Sequence, residues 1–79
     1  MKLDRIKIDP EVCMGQPTIR GMRITVAFVL RLLASGMDTR AVLKAYPELE
    51  EEDIRQSLAY AAWLAAEQTQ PLPQEATGP

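Results

Sequence analysis

Gly15-Gln16-Pro17-Thr18-Ile19-Arg20-Gly21-Met22-Arg23-Ile24-Thr25-Val26 is the stretch on which the fold turns. Two β-branched runs, Thr18-Ile19 and Ile24-Thr25-Val26, flank Arg20-Gly21, where a glycine supplies the positive φ of a tight turn. The stretch therefore reads as a small β-hairpin. Upstream, Arg5-Ile6-Lys7-Ile8-Asp9 alternates polar and apolar side chains with the period of a half-buried strand, and Pro10 ends it. So little sheet does not hold together alone in water; it must pack on helices or pair with another chain.

Three helices are expected downstream. Thr25 is a fair N-cap for the first, which runs to about Ser35 and stops at Gly36, a natural residue just past a helix end. Val26, Val29, Leu30 and Leu33 form its core stripe, with Phe28 and Leu32 on other faces, so this helix should be buried on most sides. Asp38 caps a short second helix, Thr39–Ala45, with Val42 and Leu43 inward and Pro47 ending it. The third helix spans roughly Glu51–Ala66; Ile54, Leu58, Ala61 and Ala65 recur on one face, and its acidic first turn suits the positive end of the helix dipole.

At about 100° per residue Trp63 lies opposite Ile54 on that helix, with Tyr60 and Leu64 beside it. Tyr60, Trp63 and Leu64 are thus a candidate interface, unless the N-terminal strand or the C-terminal tail covers them. From Glu67 onward three prolines accompany a single large apolar side chain, Leu72, a composition that cannot offset its ordering entropy. The expected architecture is mainly α with a small β part: an N-terminal strand and β-hairpin followed by a three-helix, helix–turn–helix-like bundle. Residues 1–66 form the single domain and 67–79 a disordered tail.

With 79 residues, 47% hydrophobic and 25% charged, the chain is one small domain of marginal stability, for which a second copy or a partner is a natural support. Its longest apolar run, Val26–Leu30, is broken by Arg31, well short of the roughly 20 residues of a membrane span. Met1-Lys2-Leu3-Asp4-Arg5 leads into no apolar signal region, and Cys13 is the sole cysteine, so a reducing cytoplasm is the expected setting. The absence of histidine excludes histidine-based triads and Cys/His zinc sites. Gly15 and Gly21 are not followed by the Lys-Ser/Thr of a phosphate-binding loop. The run Glu50-Glu51-Glu52-Asp53 fans out around a helix start and does not converge on one atom. The chain is accordingly read as no enzyme, with no catalytic residue, metal or cofactor.

Charge is unevenly spread. Residues 1–35 set Lys2, Arg5, Lys7, Arg20, Arg23 and Arg31 against Asp4, Asp9 and Glu11, a balance of +3. Residues 36–79 set Arg40, Lys44 and Arg55 against Asp38, Glu48, Glu50, Glu51, Glu52, Asp53, Glu67 and Glu75, a balance of −5. A phosphate- or carboxylate-facing surface is expected in the first half. Arg20 and Arg23 flank Gly21, where guanidinium forks could hold phosphates or a partner's acidic groups; the alternative is local pairing with Asp9 or Glu11. In a DNA-reading helix–turn–helix the start of the third helix meets base edges, and there only Arg55 and Gln56 are apt, amid an acidic cluster that phosphates repel. Candidate DNA- or partner-binding residues are therefore Arg20, Arg23, Arg55 and Gln56.

From Val12 to Val26, and again at Tyr46-Pro47-Glu48-Leu49, the sequence strongly resembles domain-of-unknown-function family 433, classed with VapB-type antitoxin-like proteins of bacteria and archaea. The resemblance covers about Ile6 to Ala65 and makes Gly15, Pro17, Gly21, Tyr46 and Pro47 its structural motif residues. Met14 replaces the first of a usual glycine pair, and Glu50 stands where a capping Thr or Ser is usual, leaving the third helix less well capped. The resemblance implies a homodimeric antitoxin that binds a PIN-like nuclease toxin and represses its own operon by binding operator DNA. The alternative is a stand-alone DNA-binding transcriptional regulator without a toxin.

Overall fold

The computed structural model of the chain describes residues 2–67. In chain order it contains β1 (Ile6–Lys7), a one-turn 3₁₀ segment (Cys13–Gly15), β2 (Thr18–Ile19), and the helices α1 (Val26–Ala34), α2 (Thr39–Ala45) and α3 (Glu51–Glu67). The expected fold class stands: a small antiparallel sheet leading into a three-helix bundle. No helix among the described residues is long and apolar enough to cross a membrane. α3 runs through Glu67, one residue past the expected domain end at 66; residues 68–79, on which the expected tail falls, lie outside the described residues.

The helix boundaries follow from local chemistry. The Thr25 hydroxyl accepts the Phe28 N–H at 3.0 Å, capping α1. At the other end Gly36 sits at φ 108°, and the N–H groups of Gly36 and Met37 reach back to Leu33 and Leu32, the paired bonds of a Schellman ending. Asp38 caps α2 by accepting the Ala41 N–H at 2.9 Å. Then Tyr46-Pro47-Glu48-Leu49 closes a tight turn, Leu49 N–H donating to Tyr46 C=O at 2.9 Å, with Pro47 at the position where a fixed φ helps.

The hairpin is rearranged from its sequence reading. The ladder joins β1 to β2, with Ile6 opposite Ile19 and Lys7 opposite Thr18. The return run Ile24–Val26 contributes one bridge, Thr18 to Thr25, and the bond from Ile19 N–H to Ile24 C=O. It stops there because Thr25 is already capping α1. The turn between the runs has two left-handed residues, Arg20 at φ 52° and Gly21 at φ 78°, closed by Met22 N–H on Ile19 C=O at 2.8 Å.

Ile19, Val26, Val29, Val42, Leu49 and Ile54 form the buried core, with Leu30, Leu33, Leu43 and Tyr60 packed partly against it. Phe28, outside the predicted stripe, sets its ring edge against Tyr46 at 5.3 Å and 90°. One expectation fails in α3. Ile54 is buried, but Leu58 is 49% exposed and Ala65 lies in solvent, while Asp53, Gln56 and Ser57 are buried. The helix is rotated so that a polar stripe, not the apolar one, meets the sheet. Its anchor is the Asp53 carboxylate.

Candidate functional site

Asp53 has no solvent exposure. A carboxylate in that position is costly unless every lone-pair direction is met. Here Oδ2 accepts from Arg20 Nη2 at 2.8 Å and from the Glu50 backbone N–H at 2.8 Å, and Oδ1 accepts from Arg20 Nε and Arg5 Nη1, each at 3.2 Å. Burial pushes the Asp53 carboxyl up, but the donors from Arg20, Glu50 and Arg5 together outweigh it and hold the group below its ordinary value. Two cations around one anion leave a surplus of positive charge, which Glu50 answers through a 2.6 Å contact to Arg5.

The bond from Glu50 N–H to Asp53 is half of a capping box: the residue at the third helical position reaches back to the amide before the helix. Glu50 is a poor cap, yet the helix start is secured from the opposite direction. The same contact set ties down both ends of the sheet. Arg20 Nη2 also donates to Glu48 C=O at 2.8 Å, and Arg5 C=O accepts the Arg20 N–H. The Arg5 N–H donates to Gln56 Oε1 at 3.0 Å, while Gln56 Nε2 bonds Asp4 and Glu52, each at 2.9 Å. The Gln56 bond lowers the Asp4 pKa, and Arg55 followed by Gln56 brings Glu52 down to about 2.

The four predicted binding residues therefore fare differently. Arg20 is committed to Asp53 rather than to Asp9 or Glu11; Asp9 instead stabilises its own turn by accepting the Glu11 N–H at 2.9 Å. Gln56 is buried and fully engaged. Arg55 lies on the surface but is forked onto Glu52, one helical turn back. Arg23 is exposed and takes part in no ion pair of the described residues. Its backbone carbonyl lies 3.6 Å from the Cys13 thiol, so the loop carrying Met14 runs beside it. Arg5, read only as a strand flank, was missed because its partners lie 45 and 48 residues away, where no local pattern points.

That loop has an unusual backbone. Cys13, Met14 and Gly15 all have positive φ, at 50°, 58° and 83°. The usual glycine pair thus coincides with two left-handed residues, and Met14 carries a side chain at one of them while standing 92% exposed. A side chain at Gly15 would also approach Pro10 Cα to 3.9 Å. Pro17 donates nothing but accepts the Val26 N–H at 2.9 Å, linking the loop to the start of α1.

The predicted interface residues are brought together in part. Tyr60 and Trp63 lie with ring centroids 6.1 Å apart and line a groove completed by Leu3, Ile6 and Ile8 of the N-terminal segment that carries β1. Leu64 is exposed and is not part of that lining. The strand therefore borders the patch without covering it: Trp63 remains 48% and Ile8 64% exposed. Among the described residues no group of three or more Cys, Asp or Glu side chains is placed to hold a metal ion.

A stretch of 52 residues is 36% identical to the uncharacterized protein y4eO of Sinorhizobium fredii (strain NBRC 101917 / NGR234), covering 66% of this chain but 24% of that protein. The chain therefore matches about a quarter of the curated relative's length. No solved structure matches. The model of the family described as "Protein of unknown function (DUF433)" matches residues 6–61, from β1 through most of α3, and the chain belongs to that family.

Proposed function

We propose that this protein is a non-enzymatic, antitoxin-like binding protein that neutralises a PIN-like nuclease toxin. The observation that carries the reading is the division of labour between the turn arginines. Arg20 is spent on the Asp53 carboxylate, whereas Arg23 stands exposed, outside every ion pair of the described residues, beside the loop of the exposed Met14. A PIN-type nuclease gathers acidic side chains around a divalent metal, and a free guanidinium with an apolar neighbour suits such a target. Such a pair would act in the cytoplasm, where the lone Cys13 stays reduced.

The test is co-expression with the neighbouring reading frame, followed by size-exclusion chromatography with light scattering and a nuclease assay. A stable hetero-complex is expected, in which Arg23→Ala relieves inhibition without lowering Tm. Inhibition unchanged in Arg23→Ala, or no complex at all, overturns the reading.

One observation favours the stand-alone DNA-binding regulator as a second reading. Arg40 and Lys44 are exposed, unpaired among the described residues and four residues apart on α2, the helix that crosses the backbone in a helix–turn–helix. That reading predicts promoter binding with a steep salt dependence that Arg40→Ala and Lys44→Ala reduce. It gives no base-reading role to the buried Gln56.

A further inference from the structure

The apolar groove beside α3 lies where that helix ends. Tyr60 and Trp63 form one wall, and Leu3, Ile6 and Ile8 form the other. The groove measures about 570 Å³, and about half of Trp63 and most of Ile8 still face water. Glu67, the last residue of α3, stands four places after Trp63 and seven after Tyr60. On a helical period those three positions share one side. The chain therefore leaves α3 on the groove's side, about 6 Å beyond Trp63 along the helix axis.

We propose that the occupant of this groove is the chain's own Pro71-Leu72-Pro73, folded back from the end of α3 so that Leu72 seats against Trp63 and Ile8. The proposal is independent of the toxin reading. Leu72 is the one large apolar side chain beyond Glu67. Composition gives this segment no core of its own, and the groove supplies one from outside. Its reach is sufficient: Gln68 through Leu72 extends to about 17 Å at most, so a reversal over Gln68-Thr69-Gln70 leaves enough chain to return about 6 Å to Trp63. Its stiffness helps as well. Each proline fixes its own φ and keeps the residue before it extended, so residues 70–73 have little freedom left to lose on docking. An extended, proline-containing segment laid on an aromatic-lined groove is a recurring mode of peptide recognition. Tethering selects this occupant over a second copy or a separate protein. On so short a linker the segment meets the groove at an effective concentration of about a millimolar, whatever the dilution of the chain. Docked, it is a strap over Tyr60 and Trp63, and a partner that uses those rings has to displace it.

Trp63 is the sole tryptophan, so its fluorescence reads the groove directly. The test is acrylamide quenching of the full chain against its Leu72→Asp and Ala76→Asp variants, with circular dichroism to compare their helix content. Leu72→Asp is expected to raise the quenching constant about twofold and to move the emission to the red, whereas Ala76→Asp, which adds the same charge beyond the prolines, changes neither. In a Cys13→Ser background, Ile8→Cys combined with Leu72→Cys closes a disulfide within one chain at high dilution, faster than Ile8→Cys combined with Ala76→Cys. Equal quenching of the full chain and Leu72→Asp overturns the proposal. Cross-links that form only between chains, or shielding of Trp63 that grows with protein concentration, assign the groove to a second copy and overturn it too. So does a Trp63 that is shielded only after a different protein is added.

Discussion

The Arg20 guanidinium grips the Asp53 carboxylate in a two-pronged contact, Nη2 to Oδ2 at 2.8 Å and Nε to Oδ1 at 3.2 Å, and so fastens the β-turn to the first turn of α3. The grip begins at a left-handed residue: Arg20 holds φ at 52° because a two-residue hairpin turn, closed here by Met22 N–H on Ile19 C=O, needs positive φ at both central positions.

Removing the anion leaves two partly buried cations facing each other. Asp53→Ala is expected to lower unfolding free energy by about 3 kcal/mol. Arg20→Ala should cost less, about 1–2 kcal/mol, because Arg5 and the Glu50 N–H still serve the carboxylate. Arg20→Lys should recover little, since an ammonium cannot reproduce the fork. Urea titrations followed by circular dichroism check all three; equal losses for Asp53→Ala and Arg20→Ala would contradict the shared-anion account.

Acid should weaken the fold for the same reason. The Asp53 carboxyl lies below its ordinary 3.8 in the folded chain, so the unfolded chain takes up its proton first. The stabilisation is complete above that value and is lost as pH falls through the folded pKa. Tm measured from pH 6 downward should decline most steeply below about pH 4. Asp53→Asn starts lower and declines less steeply; an unchanged slope in that variant would place the acid sensitivity elsewhere.

Met14 offers a gain. Its φ of 58° strains the backbone, and at 92% exposure its side chain contributes little packing. Met14→Gly is expected to stabilise by about 0.5–1 kcal/mol, the relief of left-handed strain less the added freedom of the unfolded chain. Thermal scans should show a Tm rise of several degrees. A fall in Tm would mean that the side chain holds the loop in a way its exposure does not disclose.

The orientation of α3 yields a paired prediction. Leu58→Gln should change stability by no more than about 0.5 kcal/mol, since Leu58 is half exposed. Ser57→Leu should cost about 2 kcal/mol or more, through overpacking and loss of the 2.9 Å bond from its hydroxyl to Asp53 C=O. Hydrophobic patterning alone predicts the reverse order, so the two variants separate the stripes cleanly in one denaturation experiment.

Helix ends are where reading residues in order succeeds here. Thr25, Gly36, Asp38 and Pro47 act on backbone groups within a few positions of themselves, so α2 begins and ends at Thr39 and Ala45 as its cap and its proline dictate. Strand pairing was less legible. Ile24-Thr25-Val26 has the composition of a strand, but Thr25 can cap a helix or extend a ladder, and the cap prevails. Trp63 and Tyr60 were correctly grouped on one side of α3, because both positions follow from a helical period.

What the residue order determined by itself, then, was the inventory and placing of local elements: short extended runs, two capped helices and a poorly capped third, and a tight turn at Arg20-Gly21. Tertiary structure alone decided which face of α3 turns inward and where the cations go. Asp53 meets Arg20 across 33 residues of chain and Arg5 across 48, and those encounters outweigh the apolar rhythm that Leu58 and Ala65 suggest. Caps and periods act over one helical turn, whereas the cost of a buried, unpaired carboxylate exists only once the chain has closed around it.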